Sequence, residues 1–106
     1  MSESDNDDSQ KPDEEFWDLA DTFIENADNL CELSHDTGNV SAALLFAASR
    51  FSAFVVASSA EDSADLELKQ DEATDYFVDQ FRLMMMENLK DYHQNFDDFF
   101  EDDETA

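Results

Sequence analysis

Cys31, Glu32, His35 and Arg50 are the residues whose types and spacing invite chemistry. Glu32-Leu33-Ser34-His35 has the Glu-x-x-His spacing with which helical bundles hold paired iron ions. Such a centre needs a second pair of this kind and carboxylates from two further helices. The other histidine, His93, has Lys90 three residues before it, so no di-iron set can be composed. Cys31 and His35 stand one helical turn apart, but a structural zinc takes four ligands and two do not make a site. No Ser-His-Asp order, glycine-rich phosphate loop or calcium-loop pattern occurs. The sequence therefore assigns no catalytic, cofactor-binding or metal-binding residue. His35 reads as a cation at a helix end, and Cys31 as a buried, inert thiol beside an apolar stripe.

Arg50 poses a sharper question. It is the one charged residue in "VSAALLFAASRFSAFVVAS", Val40 to Ser58, the least acidic stretch of the chain. A membrane span of that length is conceivable, and a mid-bilayer arginine costs only about 2.5–3.5 kcal/mol on insertion scales. The flanks argue against it. No Lys or Arg lies between Lys11 and Val40, and none between Ala60 and Lys69, so the basic anchors of a spanning helix are missing. A buried helix of a soluble protein fits better. On it, Arg50 neighbours Phe46, Ala47, Ala53 and Phe54 at three and four residues either way. A partly buried guanidinium requires a carboxylate or carbonyl. Arg50 is thus expected in a structural ion pair with a carboxylate of a neighbouring helix. A ligand pocket around Arg50 and His35 is the competing expectation.

The elements that must position these residues are helices. One Gly and one Pro in 106 residues leave too few turn formers for a β-rich fold. Phe16, Ala20, Phe23, Ala27 and Leu30 recur at spacings of three and four, with acids on the opposite side, predicting an amphipathic helix from Asp13 to Ser34. Asp13 is its expected cap and Gly38 the expected left-handed residue in the turn that follows. The second helix is predicted over 40–58 with Asn39 as cap, and the third from Ser63 to Phe96. Ala73, Phe77, Phe81, Met84, Leu89 and Tyr92 mark the buried stripe of the third. Asp65–Lys69, Asp79–Arg82 and Glu87–Lys90 are helix-spaced opposite charges, each worth a few tenths of a kcal/mol. The third helix either continues to Phe100 or frays. The expected fold is all-α: a three-helix antiparallel bundle in a single domain over 13–100, between disordered acidic tails at 1–12 and 101–106.

These segments resemble one small family. "EEFWDLADTFIENAD", "VSAALLFAASRFSAFVVAS" and "YFVDQFRLMMMENLKDY" look like the three helices of a bacterial family described only as domain of unknown function 3144, over roughly Glu14 to Phe96. The resemblance implies an all-helical cytoplasmic bacterial protein and supplies no activity and no catalytic residue.

Charge limits the partners. A net charge of −24 repels nucleic acid and anionic lipid and leaves basic proteins or cations as charged partners. Adaptation to a salty cytoplasm or simple solubility is the leading explanation of the acidity, ahead of a specific basic partner. The lone Cys31 and an N-terminus without the pattern of a signal peptide place the expectation in the cytoplasm.

Surfaces, more than sites, carry what function can be read. The second helix is apolar almost all round, and two neighbours in one chain cannot cover every side of it. Tyr76, Leu83 and Met86 line a second side of the third helix, and "NFDDFFEDDE" brings Phe96, Phe99 and Phe100 among acids. Each set reads either as packing or as a partner surface. The expectation is a non-enzymatic protein-interaction module that forms a homodimer or binds a basic protein, with no membrane and no nucleic-acid partner. Mimicry of nucleic acid toward a basic groove is a variant of it. A small-molecule binder or enzyme is the other class.

Overall fold

Acidic side chains set where the helices begin. The computed structural model describes residues 13–100, and the tails expected at 1–12 and 101–106 lie outside the described residues. Four helices follow one another: α1 (Glu14–Ser34), α2 (Thr37–Ser58), α3 (Ser63–Gln94) and α4 (Phe96–Phe100). No strand occurs among the described residues. The Asp13 carboxylate accepts the Phe16 N–H at 2.9 Å from extended backbone, a cap followed by Glu14 and Glu15 on the favourable side of the dipole. At α3 the arrangement is reciprocal. Asp62 Oδ1 accepts the Asp65 N–H at 2.8 Å, while Asp65 Oδ2 accepts the Glu61 N–H at 2.9 Å. Two otherwise orphaned donors are satisfied by a box built from two aspartates.

The α1–α2 turn departs from expectation. The left-handed residue is His35 (φ 59°, ψ 27°), whose N–H donates to the Cys31 carbonyl at 2.8 Å. Gly38 lies instead in the first turn of α2, with no positive φ. The start of α2 is held by Asp36, whose Oδ1 accepts the Asn39 N–H at 3.0 Å, so Asn39 is not the cap. An aspartate three residues ahead of a free N–H is the stronger acceptor, and it moves the helix start back to Thr37.

The third helix does not run unbroken to Phe100. Asn95 leaves the helical region (φ −116°, ψ 30°), and its side-chain amide donates to Asp91 Oδ1 at 2.8 Å. This side-chain competitor for the backbone ends α3, and α4 restarts one residue later.

By packing, the chain divides into two units whose boundary falls inside α2, after Ala53. Among the described residues Val40, 8% exposed, is the single buried one. The stripe residues of α1 stay open, with Phe23 at 61% and Leu30 at 52% exposure.

The α1–α2 turn yields a paired prediction. His35→Gly removes the cost of a side chain in the left-handed region, and Gly38→Ala lowers backbone freedom in the unfolded chain. A Cβ at Gly38 would meet only Asp36 Oδ1, at an ordinary 3.8 Å. Each substitution is expected to stabilise by about 0.4–1 kcal/mol. Urea unfolding at one fixed protein concentration is the measurement, and a lower midpoint for either variant contradicts the account.

Candidate interaction surface

The first unit contains an open groove of about 510 Å³ between α1 and α2. Phe23, Ala27 and Leu30 form the α1 wall, and Val40, Leu44 and Ala47 the α2 wall. The stripe spacing on α1 and the matching 4-3 spacing of Val40, Leu44 and Ala47 put these side chains on facing sides of the two helices. The walls are largely apolar, with Asn26, Ser34 and Asn39 as the polar lining.

Neither Arg50 nor His35 lines this groove. His35 closes α1, whereas Arg50 stands thirteen residues into α2 from Thr37, about 20 Å along its axis at 1.5 Å per residue. The structure does not bring the two together in this groove. Arg50 is exposed, and the ion pair found among the described residues is Lys69 Nζ–Asp65 Oδ2 at 3.1 Å. The helix-spaced charges of Asp79–Arg82 and Glu87–Lys90 do not come within ion-pair distance. A few tenths of a kcal/mol do not hold two long exposed side chains in one geometry.

Two serines of α2, and one just beyond it, are satisfied within the helix. Ser49 donates to the Phe46 carbonyl at 2.9 Å, Ser58 to the Val55 carbonyl at 2.9 Å, and Ser59 just beyond the helix to the Val56 carbonyl at 2.8 Å. Hydroxyls satisfied by their own helix can be covered without a further partner. The helix contains no carboxylate, while α1 carries seven and no basic residue. α2 is also long and apolar enough to cross a membrane, with a mean hydropathy of 1.8 and no buried share.

In the second unit Tyr76, Leu83 and Met86 are exposed at 58%, 57% and 62%. The C-terminal aromatics are drawn together. The Tyr92 ring lies 4.7 Å from Phe99 and 5.9 Å from Phe100, and Phe96 lies 4.8 Å from Phe100. These edge-to-face and tilted pairs, at helix-like spacings of four, seven and eight residues, line one side of the α3–α4 junction. Phe96, Phe99 and Phe100 nevertheless keep about half their surface, at 57%, 49% and 49%. Cys31, expected to be buried, is half-buried, because it sits at the shallow edge of the α1 stripe. Among the described residues no three His, Cys, Asp or Glu side chains gather as a metal site.

The chain belongs to the family described as "Protein of unknown function (DUF3144)", whose profile matches residues 16–93. The match takes in α1, α2 and nearly all of α3. No curated protein and no solved structure matches the chain.

The Asp65 box makes acid a specific perturbant. The Glu61 N–H and, next, the Lys69 ammonium hold the Asp65 carboxyl below its ordinary value. A carboxylate whose folded pKa is depressed stabilises the fold above its unfolded pKa, about 3.9, and that contribution is lost as pH falls through the folded value. Acidification below about pH 4 should therefore loosen the start of α3, and Asp65→Asn should flatten that part of the titration. Amide exchange at Glu61 and Asp65 between pH 6 and 3 is the measurement. Equal pH sensitivity in the variant refutes it.

Proposed function

We propose that this chain is a non-enzymatic protein-interaction module of the cytoplasm, whose helices finish covering their apolar faces in an assembly. One observation carries the reading: of all described residues only Val40 is buried, while large apolar side chains on α1, α2 and α3 stay open. Ordering a residue costs about 1–2 kcal/mol of backbone entropy, and apolar burial at about 25 cal/mol per Å² is what offsets it. An isolated helix as apolar as α2 is not stable in water, so its folding is linked to what covers it. The expected three-helix bundle is then completed in the assembly, and a homodimer is the simplest form of it.

A catalytic or small-molecule reading is weaker. Ligand pockets combine apolar walls with convergent polar groups, and here Arg50 and His35 lie apart and outside the groove. Binding of a basic protein, including by mimicry of nucleic acid, is favoured by one specific feature. The seven carboxylates of α1 project without a single basic residue among them. A membrane is disfavoured by the acidic flanks of α2 and a net charge of −24.

Folding linked to assembly has a measurable signature. The melting temperature should rise with protein concentration, because mass action favours the folded oligomer. It should also rise between about 20 and 200 mM salt, since repulsion between two chains of charge −24 is screened within a Debye length of about 10 Å at 0.1 M. Sedimentation velocity beside thermal circular dichroism tests both trends. A stably folded monomer of constant melting temperature refutes the assembly reading.

A further inference from the structure

We propose that two copies of this chain pair through α3 in antiparallel order, with the two-fold axis at the level of Asp79. The proposal rests on the interaction-module reading and names both its partner and the surface that meets it.

The apolar side of α3 is open for such a contact. Within its own unit α3 is met by α4 at its end, and Phe77, Phe81 and Met84 stay exposed. Their side of the helix advances in steps of four, three and four residues, an eleven-residue repeat that keeps one stripe in line. The stripe reads the same from both ends. Phe77 stands two residues before Asp79 and Phe81 two after it, while Leu66 stands thirteen before and Tyr92 thirteen after. The polar residues on this side, Gln70 and Asn88, stand nine before and nine after. Laid antiparallel on a second copy, Phe77 meets Phe81, Leu66 meets Tyr92, and Gln70 meets Asn88. The small Ala73 falls within one residue of the long Met84. Polar residues within an apolar seam fix its register, because only one alignment brings them together.

Charge selects the orientation. α3 carries six acids and one cation over 63–79, against two acids and two cations over 80–94. A parallel pair lays the two acidic halves side by side, whereas an antiparallel pair lays each on the other copy's balanced half. The edges of the stripe agree. In an antiparallel two-fold pair, each edge faces the same edge of the other copy. Arg82, three residues after the axis, shares its edge with Asp71 and Asp75 and comes beside Asp75, four before the axis. It has no ion pair within the described part of its own chain. On the opposite edge Lys69, ten before the axis, falls between Glu87 and Asp91, eight and twelve after it. Lys69 is held by Asp65 at 3.1 Å and is partly exposed, which leaves donors for a second carboxylate. Glu72 and Asp79 lie on the outer side, away from the seam. Stripe and edge charges thus refer to one axis. Identical helices paired by a two-fold require that coincidence, and a foreign partner does not.

The test uses the full-length chain. By sedimentation velocity, Arg82→Glu should weaken the homodimer roughly tenfold or more, and so should Asp71→Arg with Asp75→Arg. Mixed in equal amounts, one of them isotope-labelled, the two variants restore both cross-copy pairs. Native mass spectrometry should then show heterodimer in large excess over either homodimer. Wild-type helicity of the mixture guards against variants that fail only because they misfold. A spin label at Leu68→Cys, in a chain with Cys31→Ser, reads the orientation. Leu68 lies on the outer side, eleven residues before the axis, so the labels of an antiparallel pair stand at least about 33 Å apart. In a parallel pair they stand about 20 Å apart, across two helix diameters. A wild-type dimer with no preference for the heterodimer, or with the shorter label distance, overturns the α3 seam and leaves the module reading standing. A wild-type chain that stays unfolded alone does the same, since another partner then completes it. A well-folded monomer overturns both.

Discussion

The constraint on which everything else depends is the near-total apolarity of α2. A helix of 22 residues with a mean hydropathy of 1.8 and no carboxylate cannot be satisfied by one neighbour along one stripe. α1 faces it across the open groove, where Leu44 and Ala47 stay exposed and only Val40 is buried. Most of its leucine and phenylalanine surface is exposed, and on the proposed reading the free energy of covering it in an assembly is what holds the fold. The capping boxes and the aromatic corner at Tyr92 each contribute on the order of 1 kcal/mol. They decide where helices begin and end. They do not decide whether the helices persist.

Much of this was legible in the sequence, and the misses share a cause. Helix spans follow from the spacing of Phe16, Phe23 and Leu30 and from Asp13 and Asp62, so α1, α2 and the start of α3 agree with expectation within a few residues. Errors cluster at turns. Gly38 drew the left-handed assignment because glycine adopts that conformation at no cost, but His35 is where the α1 carbonyls run out, and a backbone bond to Cys31 outweighs the penalty. Asn95 interrupts the last helix through a side-chain bond to Asp91, a contact that periodicity does not register. The candidate surface was partly visible. All-round apolarity marked α2 as incompletely covered, but the groove wall needed the relative placement of α1 and α2, which no single-helix pattern contains. Arg50 and His35 are not brought together in the groove. Both residues are polar features at the borders of apolar stripes, and sequence alone does not show that about 20 Å of helix separates them.

The extreme acidity also gains a physical reading beyond solubility. Exposed apolar helices are prone to associate with anything similar, and a net charge of −24 keeps identical chains apart at most approaches. The repulsion is uneven. It is strongest along α1 and the first half of α3, where the carboxylates are, and absent along α2. A uniform charge would suppress every association. On the proposed reading, this distribution disfavours most approaches and leaves α2 as the helix free of like-charge repulsion.

That unevenness bears on why Arg50 is kept in so apolar a helix. A leucine at the same position would bury more surface and would be free to pack against any apolar stripe, in either direction and at several registers. A guanidinium is costly to leave uncompensated once covered, so it admits only arrangements that bring a carboxylate to it. On a carboxylate-free helix those carboxylates must come from another element. Whichever element supplies them, Arg50 restricts the direction and register in which α2 can be covered. Its contribution to affinity is then small beside that of the phenylalanines around it. Its contribution to selecting one packing among many is large.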